Sequence, residues 1–155
     1  MNSTELAELF RSDFFLSKLS ANTKEKVMEE LVQPLVNIGV VKSKRLVLDT
    51  LSKRETLGST GIGKGVAVPH CRTLAVSDVH VVIGISQNGV DYDAVDQKKV
   101  NLFFLIVAPP HESSNLYLPV LGKIVELVRD GKMRKAMTCA SDFGAFIQIV
   151  KGNDQ

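Results

Sequence analysis

His70 stands directly after a proline, at the end of a glycine-rich stretch, Gly58 to Arg72, that reads GSTGIGKGVAVPHCR. Residues of these types suggest two chemistries. The imidazole can act as a nucleophile near neutral pH, or the glycines can cradle a phosphate through backbone N–H groups. The second option fails on detail. Gly58, Gly63 and Lys64 fit the start of a GxxxxGK(S/T) phosphate loop, but Gly65 stands where the Mg²⁺-binding hydroxyl belongs. Gly61 and Gly63 open a GxGxxG pattern that Val66 breaks. The stretch also leads from a helical pattern into a strand, the reverse of a nucleotide-binding loop.

The residues after the glycines carry more information. Val66 and Val68 alternate with Ala67 as in a strand packed on one face. Pro69 has a fixed φ and no N–H, so the strand is expected to end or lie at an edge there. His70 is then held by stiff backbone at a sheet rim, beside a glycine loop that lets a partner approach. A single histidine is more often structural than catalytic, and His80, in a strand pattern, and His111, in a polar loop, look ordinary. Arg54 by itself reads as a solvated residue at a helix end. Cys71 reads as a small side chain filling a gap. Cys71 and Cys139 form no CxxC pair and no metal-ligand spacing.

The elements that must hold this stretch follow from periodicity. TKEKVMEELVQPLVNIG puts Val27, Leu31, Leu35 and Ile38 on one helical stripe, with Asn22 or Thr23 as cap, Gly39 as stop and a kink expected at Pro34. A second helix follows, capped by Ser43, and runs through Arg54 into the glycine loop. Strands are expected over 79–86 and 100–108, with Asn88-Gly89 as a turn signal between them. Leu121, Ile124 and Val128 begin a last helical third, whose final helix is capped by Ser141. Helices, then strands, then helices predict an α/β sandwich, one domain over 1–155 with a central mixed β-sheet flanked by helices.

The chain has 155 residues and a net charge of +2, with basic residues scattered among acidic ones, which argues against nucleic-acid binding. Its longest apolar run, LFFLIVA at 102–108, is too short to span a bilayer, so no membrane insertion is expected. The opening MNSTELAELFRSDFF is polar and amphipathic, unlike a secretory signal. A reducing cytoplasm with free thiols is the expected setting.

The run RETLGSTGIGKGVAVPH at 54–70 resembles enzyme IIA of the fructose/mannitol class of the bacterial phosphoenolpyruvate-dependent sugar phosphotransferase system (the type-2 IIA domain). It is most similar to the nitrogen-regulatory branch. The resemblance rests on an Arg-Glu pair, a GSTGIG loop and an apolar strand ending in Pro-His. It continues through NGVDYDAVDQKKVNLFFLIVAP, with Asp93 and Asp96, and covers about residues 20–150. It implies a phosphotransferase component of phosphotransferase/anion-transporter-like fold that needs no cofactor or metal. His70 would accept a phosphoryl group from the phosphohistidine of an HPr-like carrier protein. The residues do not choose a ring nitrogen, and the resemblance favours the tele one. Arg54 would stabilise the phosphoryl group, with Ser59, Thr60 and Tyr117 as further binding residues.

Two departures qualify this. The family commonly has a second histidine where Tyr117 stands, and a tyrosine hydroxyl donates a hydrogen bond without carrying positive charge. Packing at a helix entrance is the plainer role for Tyr117, and His111 is a candidate substitute. Cys71 stands where the family often has glycine, and could trim the carrier's approach. The implied function is phosphoryl transfer with a nitrogen-regulation-type role, passing phosphate to a regulatory target or a sugar-specific enzyme IIB. The alternatives are a module that acts mainly by binding its target, with weak or lost transfer, and a fructose-type sugar-transport component.

Overall fold

The uncharged run Val100–Ala108 is the axis of the molecule, and every residue but Asn101 is buried. A computed structural model describes residues 1–152. In chain order its elements are α1 (Ser3–Leu9), β1 (Phe15–Leu16), α2 (Lys24–Ile38), α3 (Lys44–Glu55), β2 (Gly61–Gly63), β3 (Val66–Ala67) and β4 (His70–Arg72). Then come β5 (His80–Val90), β6 (Val100–Ala108), α4 (Tyr117–Leu127), α5 (Gly131–Thr138) and α6 (Phe143–Gly152). The strands form one mixed sheet in the order β1-β5-β6-β3-β2, with β4 following β3 along β6. The β5–β6 and β2–β3 pairs are antiparallel, the others parallel.

Alternation along β6 divides the core in two. Phe103, Leu105 and Val107 pack with α2 and α3, while Leu102, Phe104, Ile106 and Ala108 pack with α1 and α4–α6. The same parity runs along residues 66–72. Ala67 and Cys71 belong to the α2–α3 core, Val66 and Val68 to the other. His70 and Arg72 therefore leave the sheet on the α4 side. A sheet buried on both faces reads as a continuous apolar run, and burying each of its large side chains contributes about 1.5–3 kcal/mol.

The strand breaks at Pro69 as expected: β3 ends at Ala67, and β4 resumes at His70 paired with β6 alone, at the sheet edge. Val66 opposes Leu102 and His70 opposes Ile106, so the register is the same on both sides of the proline. Pro69 still accepts the Ile106 N–H through its carbonyl, at 2.9 Å, and its ring costs the ladder only one donor. The glycine loop is a hairpin: Lys64 (φ 57°) and Gly65 (φ 81°) join β2 to β3 as a two-residue turn with both φ positive.

Helix caps mostly follow the sequence. Thr23 and Ser43 cap α2 and α3, and Gly39, at φ 87°, ends α2 in the left-handed region. The stripe differs at its end, since Ile38 is exposed while Met28 and Val32 are buried, and α2 continues through Pro34 for a further turn. Asn88-Gly89 is not a turn. It lies inside β5, where the register shifts between Ile85 and Val90, and Gly89 donates its N–H to Ser86 Oγ at 3.0 Å. The positive φ of Gly89 serves a bulge there. The last helix is capped by Asp142, not Ser141: its carboxylate accepts the Ala145 N–H at 2.7 Å. At the N-terminus, Asn2 and Glu5 form a capping box on α1, which packs against α6.

Candidate functional site

His70 opens β4, and the interrupted strand around Pro69 sets its ring. The imidazole Nδ1 lies 2.7 Å from the Val68 carbonyl oxygen. A carbonyl only accepts, so Nδ1 carries the proton and Nε2 keeps the lone pair. The half-buried ring faces a cleft whose wall includes Arg54, Arg72 and Tyr117.

Arg54 comes from the last turn of α3, where a cation suits the helix dipole. Its Nη1 donates to the Gly58 carbonyl at 3.1 Å, holding the start of the glycine loop. Tyr117, the first residue of α4, has its ring centroid 6.4 Å from that of His70. Burial pushes the Tyr117 phenol up to about 12, so it is a neutral hydroxyl donor at cellular pH. The substitute His111 is exposed and outside the cleft wall.

The sequence misses Arg72. Its guanidinium carbon lies 4.3 Å over the Tyr117 ring, and its Nη1 donates to Glu112 at 2.8 Å. The signal is its spacing: a residue two along a strand from His70 shares its face.

Ser59 and Thr60 do not line the cleft. The Ser59 hydroxyl accepts the Gly61 N–H at 3.0 Å, inside the loop. Thr60 is buried, with its hydroxyl bonded to the Glu55 carboxylate and to the Tyr92 hydroxyl. Gly61 lets this loop close on Ala94, since a Cβ there would stand 2.8 Å from the Ala94 Cα. Asp96 fixes the β2–β3 turn by accepting the Lys64 N–H at 2.9 Å, and this bond holds its carboxyl below the usual range. His80 packs edge-on to Phe14, and burial lowers its pKa.

Cys71 points into the α2–α3 core, and burial pushes its thiol up to about 12. The residue also borders the cleft beside His70. Iodoacetamide at pH 8 is expected to alkylate exposed Cys139 and spare Cys71 in the folded protein, with both labelled in denaturant, as read by peptide mass. Labelling of native Cys71 at the rate of Cys139 would contradict its burial. Among the described residues no cluster of three or more His, Cys, Asp or Glu could hold a metal ion. No helix among them is long and apolar enough to cross a membrane. A wider groove between α2 and α3, lined by Lys24, Met28, Leu48 and Glu55, has no histidine in its wall.

The chain belongs to the family "Phosphoenolpyruvate-dependent sugar phosphotransferase system, EIIA 2", whose model matches residues 8–153. It is 29% identical over 97% of its length to the "PTS system fructose-specific EIIABC component" of Bacillus subtilis, and spans 24% of that protein. It is 26% identical to a "Nitrogen regulatory protein" of Bradyrhizobium diazoefficiens, over 94% of both chains. Among solved structures, Nitrogen Regulatory Protein IIA-Ntr from Neisseria meningitidis superposes with a TM-score of 0.84 at 27% identity, over 94% of this chain and 99% of that one.

Proposed function

We propose that His70 accepts a phosphoryl group on Nε2 from the phosphohistidine of a small HPr-like carrier, in the cytoplasm. The observation that carries this reading is the Nδ1–Val68 hydrogen bond, which turns the free lone pair of a neutral imidazole into a cleft walled by arginine. The Nε2 lone pair attacks phosphorus and a new N–P bond forms. The N–P bond to the carrier breaks, and its electron pair returns to the carrier's ring nitrogen. The proton stays on Nδ1, hydrogen-bonded to the Val68 carbonyl, throughout. Such transfer needs mostly positioning and charge stabilisation.

Arg54 supplies the charge: its planar fork can turn from the Gly58 carbonyl to phosphoryl oxygens. Arg54→Ala is expected to slow transfer about 10²–10³-fold with little change in thermal stability, measured by rapid-quench transfer from phosphorylated carrier. An unchanged rate would remove Arg54 from the site. Leu57 and Leu118, 83% and 66% exposed beside the cleft, supply the apolar patch on which a carrier that must also leave would dock.

The phosphate's destination is read as regulatory, on the strength of nitrogen-regulatory relatives matched over nearly their whole length. A sugar-specific enzyme IIB is the alternative recipient, as the name of the Bacillus EIIABC relative suggests. The test is intact-mass spectrometry at alkaline pH after incubation with phosphoenolpyruvate, enzyme I and the carrier. One added phosphoryl group supports the carrier chemistry. No added mass on this protein, with the carrier itself phosphorylated, would overturn it and leave a module that acts by binding, the outcome that tyrosine in place of the second histidine would then explain.

A further inference from the structure

We propose that Arg72 is the second cationic ligand of the phosphoryl group, an inference that rests on His70 being the acceptor. The two side chains lie two residues apart on β4 and share the α4 face of the sheet. The Arg72 guanidinium stacks on Tyr117, whose ring in turn neighbours the imidazole. Arg72, Tyr117 and His70 thus form one wall of the cleft, and Arg54 belongs to the same cleft.

The pattern of hydrogen bonds singles Arg72 out. Its contacts all fall on one nitrogen, Nη1, which donates to Glu112 Oε2 at 2.8 Å and to the Pro109 and Pro110 carbonyls at 3.1 and 3.4 Å. Nε and Nη2 make no hydrogen bond among the described residues. A guanidinium clamped at one nitrogen and stacked on an aromatic ring has already lost most of its rotamer freedom. The remaining edge offers adjacent N–H groups in the fork geometry that phosphate oxygens accept. Preorganised donors of this kind stabilise developing charge without reorganisation.

Glu112 makes the clamp cooperative. Its other oxygen accepts the Tyr117 N–H at 3.0 Å, and this bond together with Arg72 holds its carboxyl below the usual range, so it stays ionised. One carboxylate therefore fixes both the start of α4 and the orientation of Arg72. Tyr117 brings a hydroxyl and a stacking surface but no charge. Arg72 restores a positive group on that side of the imidazole, opposite in origin to Arg54: one comes from β4, the other from α3.

A purely structural Arg72 would tie the 109–117 loop to β4 and nothing more, and the two roles separate experimentally. Single-turnover transfer from phosphorylated carrier is measured for wild type, Arg72→Gln, Arg72→Lys and His70→Ala, with the Arg72 Nε–H resonance followed by NMR in wild type before and after phosphorylation. The expected result is a loss of about 100-fold for Arg72→Gln at saturating carrier, partial recovery in Arg72→Lys, and an unchanged half-saturating carrier concentration. The Nε–H resonance should move on phosphorylation. A folded Arg72→Gln that transfers at the wild-type rate overturns the proposal. So does an Nε–H resonance that stays in place on wild type phosphorylated at His70, even if the glutamine variant fails to fold. Phosphate on His70→Ala, or none on wild type, would instead overturn the His70 reading and take the role of Arg72 with it.

Discussion

His70→Ala is expected to fold normally and to accept no phosphoryl group, a loss of at least about 10⁴-fold. No neighbour can take over. Tyr117 holds its proton to about 12, and its stacked ring is set for donation, not attack. Cys71 is buried in the opposite core with a thiol pushed up to about 12, and a neutral buried thiol is a poor nucleophile. His111 is exposed and outside the cleft. The variant loses one hydrogen bond, to Val68, which contributes about 1 kcal/mol, and the half-buried ring leaves no sealed cavity. Intact mass at alkaline pH, with the carrier shown to be phosphorylated and thermal unfolding as a fold control, checks both halves of this. A phosphorylated, folded His70→Ala would sink the assignment.

The residues that sequence exposes are those whose role is local. Val100–Ala108 was legible as a strand because burial on both faces removes every charge from it. Thr23, Gly39 and Ser43 act within their own helix ends, so short-range rules find them. The Pro-His step, taken with the glycine loop before it, pointed to the cleft. Residues were misjudged where a distant partner decides. Asn88-Gly89 has turn chemistry, but β6 pairs on either side of it and turns it into a bulge. Thr60 lies in the signature loop, but Tyr92, from beyond the end of β5, claims its hydroxyl. Arg72 and Glu112 meet across 40 positions of chain, a distance at which no local pattern operates.

The Arg54-Glu55 pair shows how adjacent residues of one motif divide the work, and Glu55→Ala is the second large effect expected. The Glu55 side chain is only 10% exposed and its carboxylate meets three groups. It accepts the Thr60 N–H at 3.2 Å and the Thr60 hydroxyl, and it pairs with Lys24 Nζ at 2.6 Å. Because a carboxylate only accepts, the Thr60 hydroxyl must donate to it, and the Tyr92 hydroxyl then donates to Thr60 at 2.9 Å. Lys24 also lies 4.7 Å over the Tyr92 ring, closing the group on itself. This cluster ties α2, α3, the glycine loop and the segment after β5 together. Removing the carboxylate leaves a largely buried ammonium without its counter-ion and a Thr60 N–H without an acceptor, at a cost of about 3 kcal/mol. In a domain of this size that corresponds to a fall in Tm of roughly 6–12 °C. Glu55→Gln keeps an acceptor for Thr60 and loses the ion pair, so it should fall between the two. Transfer by Glu55→Ala should slow as well, about tenfold, since Arg54 is steadied by the Gly58 carbonyl of the loop that Glu55 anchors. Arg54→Ala and Glu55→Ala should therefore differ in kind: the first loses rate at constant Tm, the second loses Tm first and rate as a consequence. Equal Tm values for Glu55→Ala and wild type would mean that the loop holds its shape without the carboxylate, and that the Arg-Glu pair serves the phosphoryl group alone.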